Sequence, residues 1–112
     1  MTKTNKHITQ EILDRIRKIE DPYKIIIFGS YAYGTPHAES DIDIIIVLNK
    51  DTQPNTFRDK SELYLKMSRA LREIEREVPL DLIVFTKPEF DRFVASNSVF
   101  SRKIIREGKV LT

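Results

Sequence analysis

The apolar residues of this chain follow two periods, one typical of amphipathic helices and one typical of buried strands. Across residues 9–20 they recur every three or four positions with charged residues on the opposite face, which predicts a helix. Residues 23–28, 41–48 and 80–85 are instead nearly continuous apolar runs rich in β-branched side chains. Such runs are typical of strands buried on both faces, so the pattern predicts three strands.

Further helices are predicted between and after these strands. Residues 57–78 form the longest periodic segment, residues 86–95 open with the capping-box sequence TKPE, and residues 98–107 form a shorter helix. A short helical turn is expected at residues 30–33 and a short edge strand at residues 109–111. The apolar stripe of the long segment consists of Leu63, Met67, Ala70, Leu71, Ile74 and Val78.

The order of these elements predicts the fold class. Strands alternate with helices through most of the chain, which is typical of an α/β or α+β domain. We therefore expect a small mixed sheet of three to four strands flanked by helices. With 112 residues the chain has the length of one domain, so residues 1–112 are expected to share a single core.

The composition limits which disulfides and metal sites such a domain can contain. The chain has no cysteine, and its two histidines, His7 and His37, lie far apart on polar segments. This excludes disulfides and argues against metal sites built from cysteine or histidine. A metal ion would have to be bound through oxygen atoms, which favours Mg²⁺ or Mn²⁺.

The charge is nearly balanced, with 19 Lys and Arg against 17 Asp and Glu and a formal net charge of +2. That balance gives no general case for binding nucleic acid or a membrane, and we expect direct contact with neither. The longest apolar run near the N-terminus, residues 25–28, is too short for a signal segment or a membrane span. The expected location is therefore the cytoplasm.

Two of the predicted strands carry carboxylates among their apolar residues. Asp41 and Asp43 are two positions apart, so their side chains leave the same face of a strand. Ionised groups near a core strand are costly and repel each other unless a cation lies between them. If the strand that bears Asp81 is a neighbour, three carboxylates can hold two metal ions about 3.5–4 Å apart. Asp81 could equally cap the turn that follows Pro79.

A phosphate site is predicted where the first strand ends. Gly29 has no Cβ, so a phosphate can approach its backbone closely. The amides of the following turn would point at the anion, and the Ser30 hydroxyl would add a hydrogen-bond donor. Each of these features alone has an ordinary structural explanation, such as a turn or a cap. Their joint order along the chain favours a nucleotide site.

The segment GSYAYGTPHAESDIDIIIVL resembles the signature of the polymerase-beta-like nucleotidyltransferase superfamily, which is Gly-Ser followed by ten residues and Asp-x-Asp. The later segment PLDLIVFT resembles the strand that bears the third carboxylate of that family. The resemblance thus covers nearly the whole chain and implies the polymerase-beta-like fold. The chain is most similar to the minimal nucleotidyltransferases, the MNT antitoxins that are paired with HEPN ribonuclease toxins.

The resemblance also implies a role for each site residue. Gly29 and Ser30 would bind the triphosphate, and Asp41 and Asp43 would ligate two Mg²⁺ ions, with Mn²⁺ as a substitute. Asp81 would help to ligate the catalytic ion and activate the acceptor hydroxyl. The implied reaction transfers AMP from ATP to a tyrosine hydroxyl of a cognate HEPN toxin, for which the chain acts as the antitoxin.

Two alternatives remain open at this stage. The acceptor could be a small hydroxylated molecule, although the chain has no room for an added acceptor-binding domain. The chain could also be a non-catalytic antitoxin that covers the toxin by binding alone. The full set of Gly29, Ser30 and the three aspartates argues against that second alternative.

Overall fold

The computed structural model of the protein describes residues 5–29, 42–52 and 54–111. The predicted turn at residues 30–33 lies outside the described residues. The elements of the described part, in chain order, are α1 (Asn5–Arg17), β1 (Pro22–Phe28), β2 (Ile42–Leu48), α2 (Phe57–Ala70), α3 (Arg72–Glu77), β3 (Leu80–Thr86), α4 (Lys87–Ala95), α5 (Val99–Glu107) and β4 (Lys109–Val110).

The four described strands form one mixed sheet in the order β3-β2-β1-β4. β1 is antiparallel to both β2 and β4, whereas β2 is parallel to β3. A parallel pair needs a crossover connection, and α2 and α3 supply it. Every residue of β2 except Asp43 is buried, as expected for a strand covered on both faces. The predicted mixed sheet of three to four strands flanked by helices is confirmed.

Helices cover both faces of the sheet and create two apolar cores. Successive strand side chains point to opposite faces, so each strand contributes to both cores. The larger core joins α1, α2 and α3 to one face and includes Ile12, Ile16, Met67, Leu71, Ile74, Ile25, Ile27, Ile44 and Ile46. The smaller core joins α4 and α5 to the other face and includes Phe90, Ile104, Ile26, Ile45 and Val47.

The first helix differs from the prediction at both ends. It begins at Asn5 rather than at residue 9, and the prediction missed this start because residues 5–7 are polar and give no apolar periodicity that could mark the start of a helix. It ends at Arg17 rather than at residue 20. There the amides of Ile19 and Glu20 both donate to the carbonyl oxygen of Ile16, at 3.1 and 2.9 Å, and form a turn instead of another helical step.

The predicted helix over residues 57–78 is also wrong as a single element, because it is interrupted at Leu71. That residue has φ −101° and ψ 7°, and its amide donates to the carbonyl oxygens of both Met67 and Ser68 at 3.2 Å. Leu71 is fully buried, as Met67 is, so the apolar stripe continues across the break. Periodicity therefore could not reveal the interruption.

The start of α4 is fixed by side chains, as the capping-box sequence predicts. The Thr86 amide donates to Glu89 Oε1 at 3.0 Å, which closes one half of the box. Lys60 of α2 donates to both carboxylate oxygens of Glu89, at 3.1 and 3.0 Å, and also to the Val84 carbonyl oxygen. This cluster ties α2, β3 and α4 together at the end of β3.

No helix in the described ranges is long and apolar enough to cross a membrane.

A second polar cluster lies where α1 leads into β1. Glu20 accepts a hydrogen bond from Lys66 at 2.6 Å and lies 3.5 Å from Lys50. Burial raises the pKa of Glu20, but the hydrogen bond from Lys66 and the charges of Lys50 and Lys66 outweigh it and lower the pKa below its ordinary value of 4.5. A group with a lowered pKa stabilises the fold above its unfolded pKa, and this contribution is lost as the pH falls through the folded value.

We therefore predict that Glu20→Gln lowers the free energy of unfolding near neutral pH by about 1 kcal/mol or less, since Lys66 is half exposed. The difference from wild type should shrink as the pH falls from near 4.5 through the lower pKa of folded Glu20, because the wild-type side chain then becomes neutral as well. Urea unfolding across this pH range measures it. Glu75→Gln, at an exposed position of α3, is the control and should show a smaller effect. A Glu20→Gln difference that is constant with pH contradicts the prediction.

Candidate active site

Three of the predicted site residues meet at one end of the sheet. Asp43 is the second residue of β2 and Asp81 the second residue of β3, and the two are direct partners in the parallel register. Phe28, the last residue of β1, pairs with Asp43 from the other side. Gly29 follows Phe28 directly and lies against the Asp43 carboxylate, while Asp81 is on the far side of β2.

Both carboxylates leave the same face of the sheet. Asp43 alternates with Ile45 and Val47, and Asp81 alternates with Ile83 and Phe85, all of which pack with α4 and α5. Paired strands are about 4.8 Å apart, so the two side chains are neighbours. Asp43 is half-buried and Asp81 is exposed, which leaves one of the two carboxylates open to solvent.

Gly29 is required by the close approach of the turn to Asp43. Its φ of +80° lies in the left-handed region that favours glycine. A Cβ at this position would lie 2.5 Å from Asp43 Oδ2, well inside van der Waals contact. The sequence predicts Gly29 from the needs of a phosphate, and the structure adds a second reason, the carboxylate of the neighbouring strand.

Ser30 and Asp41 lie outside the described residues, so their predicted roles stay predictions. Within ranges 5–29, 42–52 and 54–111, no group of three or more acidic, histidine or cysteine side chains is placed to hold a metal ion. The described residues nevertheless fit part of an oxygen shell for Mg²⁺. Asp43 and Asp81 provide hard carboxylate donors side by side, and the exposed Asp81 can be reached by a hydrated cation.

A chain of aromatic rings borders this end of the sheet, and the sequence analysis did not single it out. The ring centroids of Phe28 and Phe100 are 5.7 Å apart, and those of Phe100 and Phe93 are 5.6 Å apart, both in edge-to-face arrangements. Because Phe28 is both the register partner of Asp43 and the residue before Gly29, its contact with Phe100 brings the start of α5 close to the strand end that bears Asp43. The sequence feature that could have pointed to Phe28 is its position directly before Gly29 and Ser30.

We predict that Gly29→Ala lowers the free energy of unfolding by about 1–3 kcal/mol, because it adds left-handed strain to a steric clash. Because the added Cβ would clash with the Asp43 carboxylate, Asp43→Ala should relieve part of this cost. A double-mutant cycle measured by denaturant unfolding should then give a favourable coupling of about 1 kcal/mol. Additive effects of the two substitutions would show that the Asp43 carboxylate is not the atom group that Gly29 accommodates.

Comparison with known proteins assigns this arrangement to a family. The sequence profile of the nucleotidyltransferase domain matches residues 9–110. An inferred protein adenylyltransferase of Methanocaldococcus jannaschii is 36% identical over 88 residues, which cover 79% of this chain and 76% of that protein. Caffeine-induced protein 16 of Schizosaccharomyces pombe is 40% identical over 50 residues, 45% of this chain, and the match spans 4% of that protein's length.

Solved structures with the same fold agree with the profile. The structure of a toxin–antitoxin with AMP-PNP superposes with a TM-score of 0.55 at 30% identity, over 92% of this chain and 71% of that one. A mutant of the toxin–antitoxin MntA–HpeT gives a TM-score of 0.54 at 30% identity, over 93% and 71%. The resemblance to minimal nucleotidyltransferases is thereby confirmed, and this chain belongs to the nucleotidyltransferase domain family of enzymes.

Proposed function

We propose that this enzyme transfers AMP from ATP to a tyrosine hydroxyl of a partner HEPN toxin and so acts as its antitoxin. The observation that carries the proposal is the direct pairing of Asp43 with Asp81 beside the Gly29 turn. This geometry supplies two acidic oxygen donors and an open main-chain turn at one point. Those are the groups that a nucleotide triphosphate and its cations require.

The relatives support the choice of nucleotide and partner. One curated relative is named for protein adenylyltransferase activity, which matches AMP as the transferred group and a protein as the acceptor. One similar structure is that of a toxin–antitoxin with AMP-PNP, an ATP analogue. We extend both properties to this chain on the strength of the shared fold and the paired aspartates.

The proposal assigns a role to each site residue. Gly29 and Ser30 bind the triphosphate, as the sequence pattern implies, because main-chain amides after a strand and a serine hydroxyl are good donors to phosphate oxygens. Asp41, Asp43 and Asp81 hold two Mg²⁺ ions, for which Mn²⁺ can substitute. When bound, the cations neutralise phosphate charge and favour ionisation of the acceptor hydroxyl.

The transfer itself is a displacement at the α-phosphorus of ATP. The acceptor oxygen forms a new bond to that phosphorus while the bond to the pyrophosphate oxygen breaks, and pyrophosphate leaves. In this proposal Asp81 accepts the proton of the acceptor hydroxyl, a role that its exposure to solvent supports. The chain thus contributes mainly position and charge, as in other phosphoryl and nucleotidyl transfers.

Transfer should be measured with the protein encoded by the adjacent reading frame as the acceptor, using α-labelled ATP, Mg²⁺ and intact-mass spectrometry. We predict that Asp43→Asn and Asp81→Asn each reduce labelling by more than about 100-fold, since groups that merely support a metal ligand already cost 10–100-fold. Asp91→Asn, at an exposed position of α4, is the control and should retain wild-type labelling. An unlabelled acceptor with the wild-type enzyme rules out the proposed transfer.

The same experiment separates the two alternatives. If Asp43→Asn loses labelling but still neutralises the toxin in cells, the chain acts by binding alone. If the adjacent protein is never labelled but small hydroxylated compounds are, the acceptor class in the proposal is wrong.

Cation binding can be tested without the acceptor. We predict that saturating Mg²⁺ raises the melting temperature of the wild-type protein by several degrees, because ligands that bind only the folded state stabilise it. The double variant Asp43→Asn, Asp81→Asn should lose this increase, and Asp91→Asn should keep it. Differential scanning calorimetry at constant ionic strength measures the effect. If Mg²⁺ raises the melting temperature of all three proteins equally, the cation binds at a site other than Asp43 and Asp81.

A further inference from the structure

The outer surface of α5 carries large apolar side chains that are exposed, whereas a helix face in contact with solvent alone is usually polar. Half of the large exposed hydrophobic residues in the described part of the chain lie between residues 94 and 110. Val99 is 76% exposed and Ile105 is 57% exposed, although Ser101 and Ile104 of the same helix are buried against the sheet. Several exposed apolar side chains on one helix are typical of interaction surfaces.

The charged residues that accompany these apolar residues are mostly basic. Residues 92–111 carry five Lys and Arg against one acidic residue, Glu107, in a chain whose net charge is only +2. A shallow groove between the end of α4 and α5 is lined by Val94, Asn97, Ser101, Arg102, Ile105 and Arg106. Its charged lining residues are therefore both arginines. The outer face of α5, formed by Val99, Arg102, Lys103, Ile105 and Arg106, is thus apolar and basic together.

The helix that carries this face also contacts the strand end at the candidate active site. Phe100 of α5 contacts Phe28, and Phe28 is both the register partner of Asp43 and the residue before Gly29. Asp43 and Asp81 also project from the sheet face that α4 and α5 cover. Because Phe100 lies on the flank of α5 that meets β1, a macromolecule bound to the outer face would lie about one helix diameter, roughly 10 Å, from the carboxylates.

We propose that the outer face of α5 is the docking surface for the acceptor protein, a partner that presents apolar side chains bordered by carboxylates. This rests on the proposed function and specifies where its acceptor binds. Complementary charge favours such a partner, because arginines at an interface pair well with carboxylates and steer association. Val94, Val99 and Ile105 are aliphatic and offer no ring on which nucleic-acid bases could stack. Phe100 of the same helix is 42% exposed, but its ring packs edge-to-face against Phe28 and Phe93, so the surface favours a protein over RNA.

The chain offers a matched pair of variants for the test. Val99 is the first residue of α5 and follows the N-cap Ser98, while Phe57 is the first residue of α2 and follows the N-cap Thr56. Phe57 is 88% exposed and lies on a different helix. Aspartate is favoured at the start of either helix, so both Val99→Asp and Phe57→Asp should fold.

Binding of the purified protein encoded by the adjacent reading frame should be measured by isothermal titration calorimetry. Val99→Asp should weaken binding by at least about 10-fold, the effect of removing one important interface residue, and Phe57→Asp should change it by less than about 2-fold. Arg102→Glu should weaken binding similarly, and Arg58→Glu, at an exposed position of α2, should not. Binding should also weaken with added salt.

Kinetics distinguish docking from catalysis. Val99→Asp should raise the KM for the acceptor and leave kcat within about 2-fold, because it removes binding rather than chemistry, and its Mg²⁺-dependent melting shift should match wild type. Binding at α5 without any AMP transfer would retain the docking surface and reject the proposed function. The docking proposal is overturned if the wild-type chain does not bind the adjacent protein, or if the α5 variants bind it as wild type does. It is also overturned if Arg102→Glu abolishes binding of a single-stranded oligonucleotide and leaves protein binding unchanged.

Discussion

The register between β2 and β3 is the constraint on which the site depends. It sets Asp43 opposite Asp81, and two like charges facing each other across neighbouring strands are destabilising by up to about 1 kcal/mol. A slip of one residue would separate them, but it would also turn Ile44 and Ile46 out of the core that they share with α1–α3. Burial of each isoleucine stabilises the fold by about 1.5–3 kcal/mol, which exceeds the cost of the repulsion between the two carboxylates. The apolar residues of β2 therefore determine the register, although that register brings Asp43 and Asp81 together.

The same reasoning explains why the site is compact without any attraction between its acidic groups. β1 is held to β2 by an antiparallel ladder, which ends at Phe28 and Asp43. The chain must then turn immediately, and Gly29 allows it to do so within contact distance of the Asp43 carboxylate. Three sequence segments are therefore brought together by strand pairing and one left-handed residue. The fold thus holds two negative charges close together, and a bound cation would relieve the repulsion between them.

Much of this could be predicted from the sequence, because the relevant signals are local. Continuous apolar runs identified the three main strands, the Thr86–Glu89 box identified the start of α4, and Asp43 and Asp81 stood out as charges on otherwise apolar strands. Tertiary details left no such signal. The break at Leu71 keeps the apolar stripe intact, and the contact between Phe28 and Phe100 joins residues far apart in sequence. For Ser30 and Asp41, which lie outside the described residues, the sequence pattern alone carries the assignment.

The division of the sheet into two faces links the site to its surroundings. The face covered by α1, α2 and α3 contains the larger core, and its strand residues are almost all buried. The carboxylates project from the other face, where α4 and α5 form a smaller cover that is partly aromatic. In the proposed reaction, an acceptor that reaches Asp81 approaches either from the side of α4 and α5 or from the end of β2 and β3 at which the aspartates lie. The concentration of basic and apolar groups on α5 lies along the first of these routes, so the element that completes the smaller core is also the one best placed to orient a partner toward the carboxylates.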